Sequence, residues 1–446
     1  MVAYVYKRLV EYSRYESPGP KLLLPGIFSE SGILISHLRY LYRNGHKSPS
    51  WKERSAFSIV LLIKYINANI DQFHKAQDLL RAFVESLSVG SIDPFTGDDS
   101  SNLFWPARTS TSVRQLLFHI TDYTDYLNAL GDGNKIMNPL RKASCTEERL
   151  NVCAYYQKKS KVFLNHLNGD NKNIDVVRDV RSRVTPMFSV ENVVRFPEDK
   201  VDDLLTKGFV FTRKQMLFGE TNYDYKCQAI TILMHFGGLR RSEVFQLYLS
   251  DILVDDKRNE AIVRVFHPSD GNSPDPKFNN RRAYLQECFG LIPRTEYPVS
   301  NRQHCGWKNP LLTDKRGFFQ VVFAPPEKAK DFLLAWGNYL KYQRIDCPDD
   351  FFHPYAFTNS KGHPETIKNF QRLHHAAVER IGLEVAKYLG TSDHGHRHAF
   401  GFRLQSYGLS QIEIQKAMHH KSPDSCLVYI QPTNEEIRKK MRATEQ

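Results

Sequence analysis

The segment DHGHRHAF at 393–400 sets His394, His396 and His398 at alternate positions around Arg397. Such a set suits either a metal centre or a cradle for an anion. On a helix, alternate positions lie about 200° apart, so the three imidazoles cannot share one face. No further Cys, His or carboxylate follows at a zinc-ligand spacing. A strand would align the histidines, but Phe400, Leu404 and Tyr407 fall at helical spacing, so the segment is expected to enter a helix. The anion reading is therefore preferred, with a histidine-rich metallohydrolase as its rival.

Two more histidines, His419 and His420, close a short segment further on, and Tyr429 stands nine residues beyond His420. A phenol near imidazoles and two separate arginines is what attack on a phosphodiester requires. The diester is already anionic, so cations must neutralise its nonbridging oxygens as charge builds toward the transition state. Arginine suits the task because its planar fork donates two parallel hydrogen bonds and stays charged. A tyrosine nucleophile needs a proton acceptor and the leaving oxygen a donor; His or Lys can serve either end. Chemistry of this kind needs no metal and no cofactor.

The elements that must position these groups can be read from periodicity. Residues 29–88 and 107–168 repeat apolar residues near the helical period, as in AFSIVLLIKYI and VRQLLFHITDYTDYLNAL, and are expected to form a helical domain over 29–170 after an extension at 1–28. The polar stretch around 171–195 is read as a linker, and a second domain as 196–446. In that domain DYKCQAITILMHF at 224–236 is a helix stopped by Gly237 and Gly238, which puts Arg240 just past a helix end. DILVDDKRNEAIVRVFH reads as two strands around a turn and FFQVVFAPP as a third. Between them, 267–315 lacks periodicity and is expected to be an insertion with its own role. After two further helices and the opening segment, SQIE at 410–413 reads as a capping box, Ser410 with Glu413. The fold class is therefore mainly α with a small antiparallel sheet, an α+β arrangement.

Three blocks in the second domain resemble the tyrosine recombinases, or phage integrases. GGLRRSEVFQLYLSDI at 237–252 is similar to the family's first arginine block, HGHRHAF at 394–400 to its H-x-x-R-H block, and MHHKSPDSCLVY at 418–429 to its L-G-H block followed by the nucleophile. The resemblance spans about residue 196 to the end. It implies Arg240, His394, Arg397 and His420 as catalytic groups around the nucleophile Tyr429, with Glu243 as a supporting carboxylate. It implies a 3′-phosphotyrosyl bond with DNA, then resealing by a 5′ hydroxyl, with neither ATP nor metal. The sequence departs from the pattern at two places. His419 stands where the family has glycine and His396 where it has leucine; both are expected to pack or hydrogen-bond. The family's catalytic lysine would fall in the 267–315 region, with Lys308 and Lys315 as candidates and Lys308 favoured. HPSDG, NRRAYL, LIPR and GWK are similar to the gamma-mobile-trio subgroup. The resemblance makes the helical half a core-binding domain that closes over double-stranded DNA. It also makes the polar tail at 433–446 a helix that docks on a neighbouring subunit of a homo-tetramer holding two DNA sites. Accessory DNA-bending or element-encoded proteins would complete such an assembly.

Composition agrees with a polyanion partner. Among 446 residues, 61 Lys and Arg against 49 Asp and Glu leave a formal charge of +12, with a pI near 9.2. No apolar run is long enough to cross a bilayer, no signal peptide is recognised, and the seven scattered cysteines suit free thiols, so a cytoplasmic, nucleoid-associated protein without a membrane partner is expected. Two alternatives use the same residues or the same charge: a type IB topoisomerase, and a DNA-binding regulatory protein that has lost catalysis.

Overall fold

The computed structural model describes residues 4–13, 22–70, 72–131, 136–159, 175–182, 194–211, 222–430 and 438. The chain divides into two compact units, 1–187 and 188–446.

The first unit opens with an antiparallel hairpin of β1 (Tyr6–Tyr12) and β2 (Leu22–Ser29), Tyr6 facing Phe28 and Tyr12 facing Leu22, extended by the short β3 (Gly32–Ile33). Helices α1 (Ile35–Arg43), α2 (Pro49–Ala68), α3 (Ala76–Val89) and α4 (Ser110–Ala129) follow. Ser48 and Thr109 cap α2 and α4 by accepting from Trp51 N and Ser112 N, which satisfies donors a helix start leaves unpaired. Beyond them β4 (Leu140–Lys142) pairs with β5 (Val176–Arg178), with α5 (Cys145–Lys159) between. The core gathers Leu24 and Ile27 from β2 with Leu41, Ile59, Phe83, Val113 and Ile120 from the helices. Residues read from the sequence as an extension thus contribute to the core. Pro25-Gly26 within β2 is a turn signal in sequence, and pairing with Leu9 and Arg8 overrides it. Likewise 176–178 of the expected linker belongs to a sheet of this unit, and Val180 to its core.

In the second unit, α6 (Val201–Asp203) and α7 (Tyr225–His235) lead to α8 (Arg241–Val244). The three expected strands form one antiparallel sheet in the order β6 (Ile252–Asp255), β7 (Glu260–Phe266), β8 (Phe318–Gln320). Alternate residues Ala261, Val263 and Val265 of β7 point into the core with Phe319. Between β7 and β8 lies α9 (Arg281–Phe289), followed after the sheet by α10 (Lys328–Tyr342), α11 (Ile367–Arg380), α12 (Asp393–Ser406), α13 (Gln411–Ala417) and α14 (Leu427–Ile430). Ile230, Leu233, Phe332, Trp336 and Phe370 centre the main core; a smaller one joins Phe400, Leu404, Ile414, Met418, Cys426 and Tyr429. The expected capping box is present, Ser410 accepting from Glu413 N and Glu413 Oε2 from Ser410 N at 2.7 Å.

The 267–315 segment is bound tightly into this unit rather than set apart. Arg281 makes a two-pronged ion pair with Asp251 and lies 4.1 Å from both the Tyr248 and Phe266 ring centres. Arg294 donates to the carbonyls of Gln303, Phe245 and Glu365, each at 2.9 Å. Both guanidinium groups are buried, so the irregular chain is organised by two cations whose donors are taken up from inside. The expected tail helix at 433–446 lies outside the described residues, apart from Arg438. No described helix is long and apolar enough to cross a membrane.

Candidate active site

Arg240 reaches the site because α7 must stop abruptly. Gly238 takes a left-handed φ of +65°, and a Cβ there would sit 2.3 Å from the Phe400 ring of α12. Only glycine lets the two segments come this close. Leu239 is then buried, and Arg240 becomes the N-cap of α8. Glu243 accepts from both Arg240 N and Arg240 Nη1 at 2.7 Å, which fixes one edge of the guanidinium. The same carboxylate lies 3.9 Å from Arg397 Nη1, so one buried anion serves both arginines.

Arg397 lies in α12, 2 % exposed. Its Nη1 donates to the Gly238 carbonyl and its Nη2 to the Met418 carbonyl, the latter at 2.6 Å. Burial and the charge of Arg240 pull its pKa down to about 10, while Glu243 opposes them, so it stays cationic at neutral pH. The ion pair of Arg241 with Asp393 ties the start of α8 to the first turn of α12, where a carboxylate is favoured by the helix dipole.

Tyr429, in α14, is 5 % exposed. Its ring lies over Gly401 of α12, where a Cβ would come within 2.8 Å of it. Burial raises the phenol's pKa, and the positive charges of Arg397 and Arg240 act against that rise. Two imidazoles flank it. His398 Nδ1 is 3.1 Å from the hydroxyl, and the His420 ring lies nearly parallel with centres 6.3 Å apart. His420 Nδ1 meets Cys426 Sγ at 3.2 Å, and burial with the nearby Arg397 and Arg240 lowers its pKa to about 3. His394 packs against His398, ring centres 4.5 Å apart; burial first, then the charges of Arg397, Lys308 and Arg240, lower its pKa.

The two candidate lysines differ in how their loops are held against the site. The loop carrying Lys308 is stapled on both sides: Cys305 Sγ donates to Ser242 O at 3.0 Å, Gln246 Nε2 donates to Cys305 O at 2.9 Å, and Leu311 N donates to His419 O at 3.0 Å. Trp307 packs on the main core. Lys308 itself is exposed. Lys315 stands exposed on the turn before β8, and among the described residues no hydrogen bond or ion pair ties it to the cluster.

The histidines off the expected pattern turn inward. His396 is fully buried, stacked on Phe196 at 4.3 Å, with Nδ1 3.1 Å from His235 Nδ1 and Nε2 2.8 Å from His374 Nε2. His419 adopts φ +54°, the backbone region that favours glycine, and stacks on Phe319 at 3.7 Å. Burial lowers its pKa far below the ordinary range. Among the described residues, no three His, Cys, Asp or Glu side chains are grouped so as to hold a metal ion.

Sequence reasoning singled out Arg240, Glu243, His394, Arg397, His420 and Tyr429, and the fold gathers these. It passed over His398 as a partner of the phenol, along with Gly401, Cys426, Cys305 and the Arg241–Asp393 pair. The helical spacing of Arg397 to Gly401, with the His398 that follows Arg397, was a signal for two of them.

No protein-family model matches the chain, and no curated protein does. Among solved structures it is similar to the XerH site-specific recombinase bound to palindromic difH substrate, with 11% identity, a TM-score of 0.48, 88% of this chain and 80% of that one covered. It is also similar to the Tn1549 transposon integrase in complex with transposon right end DNA, at 16% identity and TM-score 0.36, over 86% and 98% of the two chains. A third likeness is to the XerA recombinase, at 14% identity and TM-score 0.35, over 93% and 98%.

Proposed function

We propose that the protein is a site-specific DNA recombinase of a mobile element, which cuts and rejoins strands through a 3′-phosphotyrosyl intermediate at Tyr429. The observation that carries this reading is a buried phenol held between two imidazoles in the field of both Arg397 and Arg240. A tyrosine kept only for packing has no use for two arginines whose desolvation must be offset by a shared carboxylate. A phosphodiester presented to this surface would find two fixed guanidinium groups for its nonbridging oxygens and a nucleophile beside them.

The steps follow from ordinary phosphoryl chemistry. Tyr429 Oη gives up its proton as it attacks phosphorus, the P–O5′ bond breaks, and the leaving 5′ oxygen takes a proton to become a free hydroxyl. Lys308 is the proposed donor, because its loop is held against α8 and the His419 backbone. His420 is proposed to donate from Nε2 to the phosphate, since the Cys426 thiol beside Nδ1 favours the tautomer with its proton on Nε2. Attack by another 5′ hydroxyl reverses the sequence and releases the tyrosine. The phosphotyrosyl ester keeps the energy of the broken bond, so no ATP is called for.

The first unit is proposed to close over the duplex as a core-binding domain, with a homo-tetramer bringing two DNA sites together. The chain's positive charge supports double-stranded DNA as the partner, and binding should weaken steeply with salt.

The test is to mix the protein with sheared, nicked DNA in EDTA, denature in detergent, and sequence the DNA that stays attached. The wild type should retain DNA and Tyr429→Phe none. Recovered sites on two duplexes should then yield exchanged products. Relaxation of supercoils without exchange would support a topoisomerase instead, and good binding with no adduct a noncatalytic regulator.

A further inference from the structure

Of the imidazoles at the site, the proposed steps use His420 and leave His394 and His398 without a role. His398 follows Arg397 in α12, and its Nδ1 lies 3.1 Å from Tyr429 Oη, within hydrogen-bond reach of the one atom that must lose a proton. Resting on the reading of Tyr429 as nucleophile, we propose that His398 is the general base of strand cleavage, taking the phenolic proton on Nδ1 as Oη bonds to phosphorus and returning it when the ester is broken.

Three observations support this. The first is orientation: Nδ1 is the ring nitrogen that faces the hydroxyl, and in the tautomer with its hydrogen on Nε2 it accepts the phenolic proton. The second is surroundings. His398 faces His394 and Arg397 on its own helix, Lys387 on the preceding turn, Tyr429 on α14 and, more distantly, His420. Apart from the phenol, these are cations or other imidazoles; burial first, then His394, Arg397 and Lys387, lower its pKa to about 4, leaving it uncharged and able to accept at neutral pH. The third is competition. His420 stacks beside the phenol ring with its Nδ1 turned to Cys426, and His394 packs on the far side of His398.

The proton count closes. During cleavage the Oη–P bond forms, P–O5′ breaks, His398 gains the phenolic proton, and the 5′ oxygen gains one from Lys308. During resealing both transfers reverse, so His398 and Lys308 each end as they began.

The experiment uses nicked duplexes carrying a site recovered as covalent adduct, made with either oxygen or sulfur as the 5′ bridging atom. Sulfur leaves without a proton, so it relieves loss of the acid and not loss of the base. His398→Ala and His398→Asn are expected to bind the duplex like the wild type and to form adduct about 10²–10⁴-fold more slowly. Their rates should rise with pH across the neutral range where the wild-type rate is flat, and sulfur should restore Lys308→Ala but neither His398 variant. Asparagine preserves a polar contact with the phenol, so wild-type cleavage by His398→Asn would reduce His398 to a positioning role and overturn the proposal. Rescue of the His398 variants by sulfur would overturn it too, while the nucleophile reading stood. A wild-type protein that forms no adduct on any DNA would overturn both.

Discussion

Two faces of α12 carry the same residue type to opposite ends. His394 and His398 turn toward Arg397, Lys308 and the phenol of Tyr429. His396, between them in sequence, turns inward to stack on Phe196 and bridge His235 and His374 with its two nitrogens. The outer pair is surrounded by cations; the inner one is satisfied by partners from α7 and α11. An imidazole whose two nitrogens are both taken up by protein groups rigidifies the fold, whereas one aimed at a single reactive oxygen can exchange a proton with it. On this account substitutions on the outer face should change rate, and those on the inner face stability.

Beside the outer face, Arg397→Lys is expected to have a large effect. It keeps a charge and loses the fork that donates to Gly238 and Met418, so adduct formation should fall about 10³-fold in a single-turnover assay. Lys308→Ala should slow adduct formation by about 10²-fold or more.

The inner face should report instead through pH. His374 has its pKa lowered from 6.5 to about 4, chiefly by burial. Its folded pKa lies below the unfolded one, so the stability it contributes is complete above pH 6.5 and is lost as pH falls from there toward 4, by roughly 3 kcal/mol at most. Denaturant unfolding at pH 7 and pH 4.5 should show a smaller loss in His374→Gln than in the wild type. His396→Leu, which leaves the facing nitrogens of His235 and His374 unpaired, should cost about 1–3 kcal/mol. In the folded fraction its adduct rate should stay near that of wild type. The smallest effect is expected from Lys315→Ala, an exposed turn substitution that should move neither rate nor stability beyond about 0.5 kcal/mol.

The same contrast explains how much could be read in the sequence. The helical period of 393–407, the Gly237-Gly238 stop and the Ser410–Glu413 box are local patterns, so the elements holding Arg240, Arg397 and His420 were legible. The three strands of the small sheet were legible for the same reason, as short apolar runs, the first two around a turn. What pairs over long distance was not. The β1–β2 hairpin is hidden by Pro25-Gly26, and β4 and β5 are too short to show a period. Nor does spacing show that Cys305 reaches Ser242, or that Leu311 is bonded to His419, which is why Lys308 could be favoured over Lys315 only by resemblance. His419 was expected to pack; its left-handed backbone gives the reason a glycine suits that position.

The central claim is that Tyr429 becomes covalently joined to DNA. Its most direct test is to digest the trapped adduct with nuclease and protease and locate the residual nucleotide by mass spectrometry. A 3′-phosphonucleotide on the peptide carrying Tyr429, absent from Tyr429→Phe, is the predicted result. A nucleotide on any other side chain, or a Tyr429→Phe protein that still traps DNA, would contradict it.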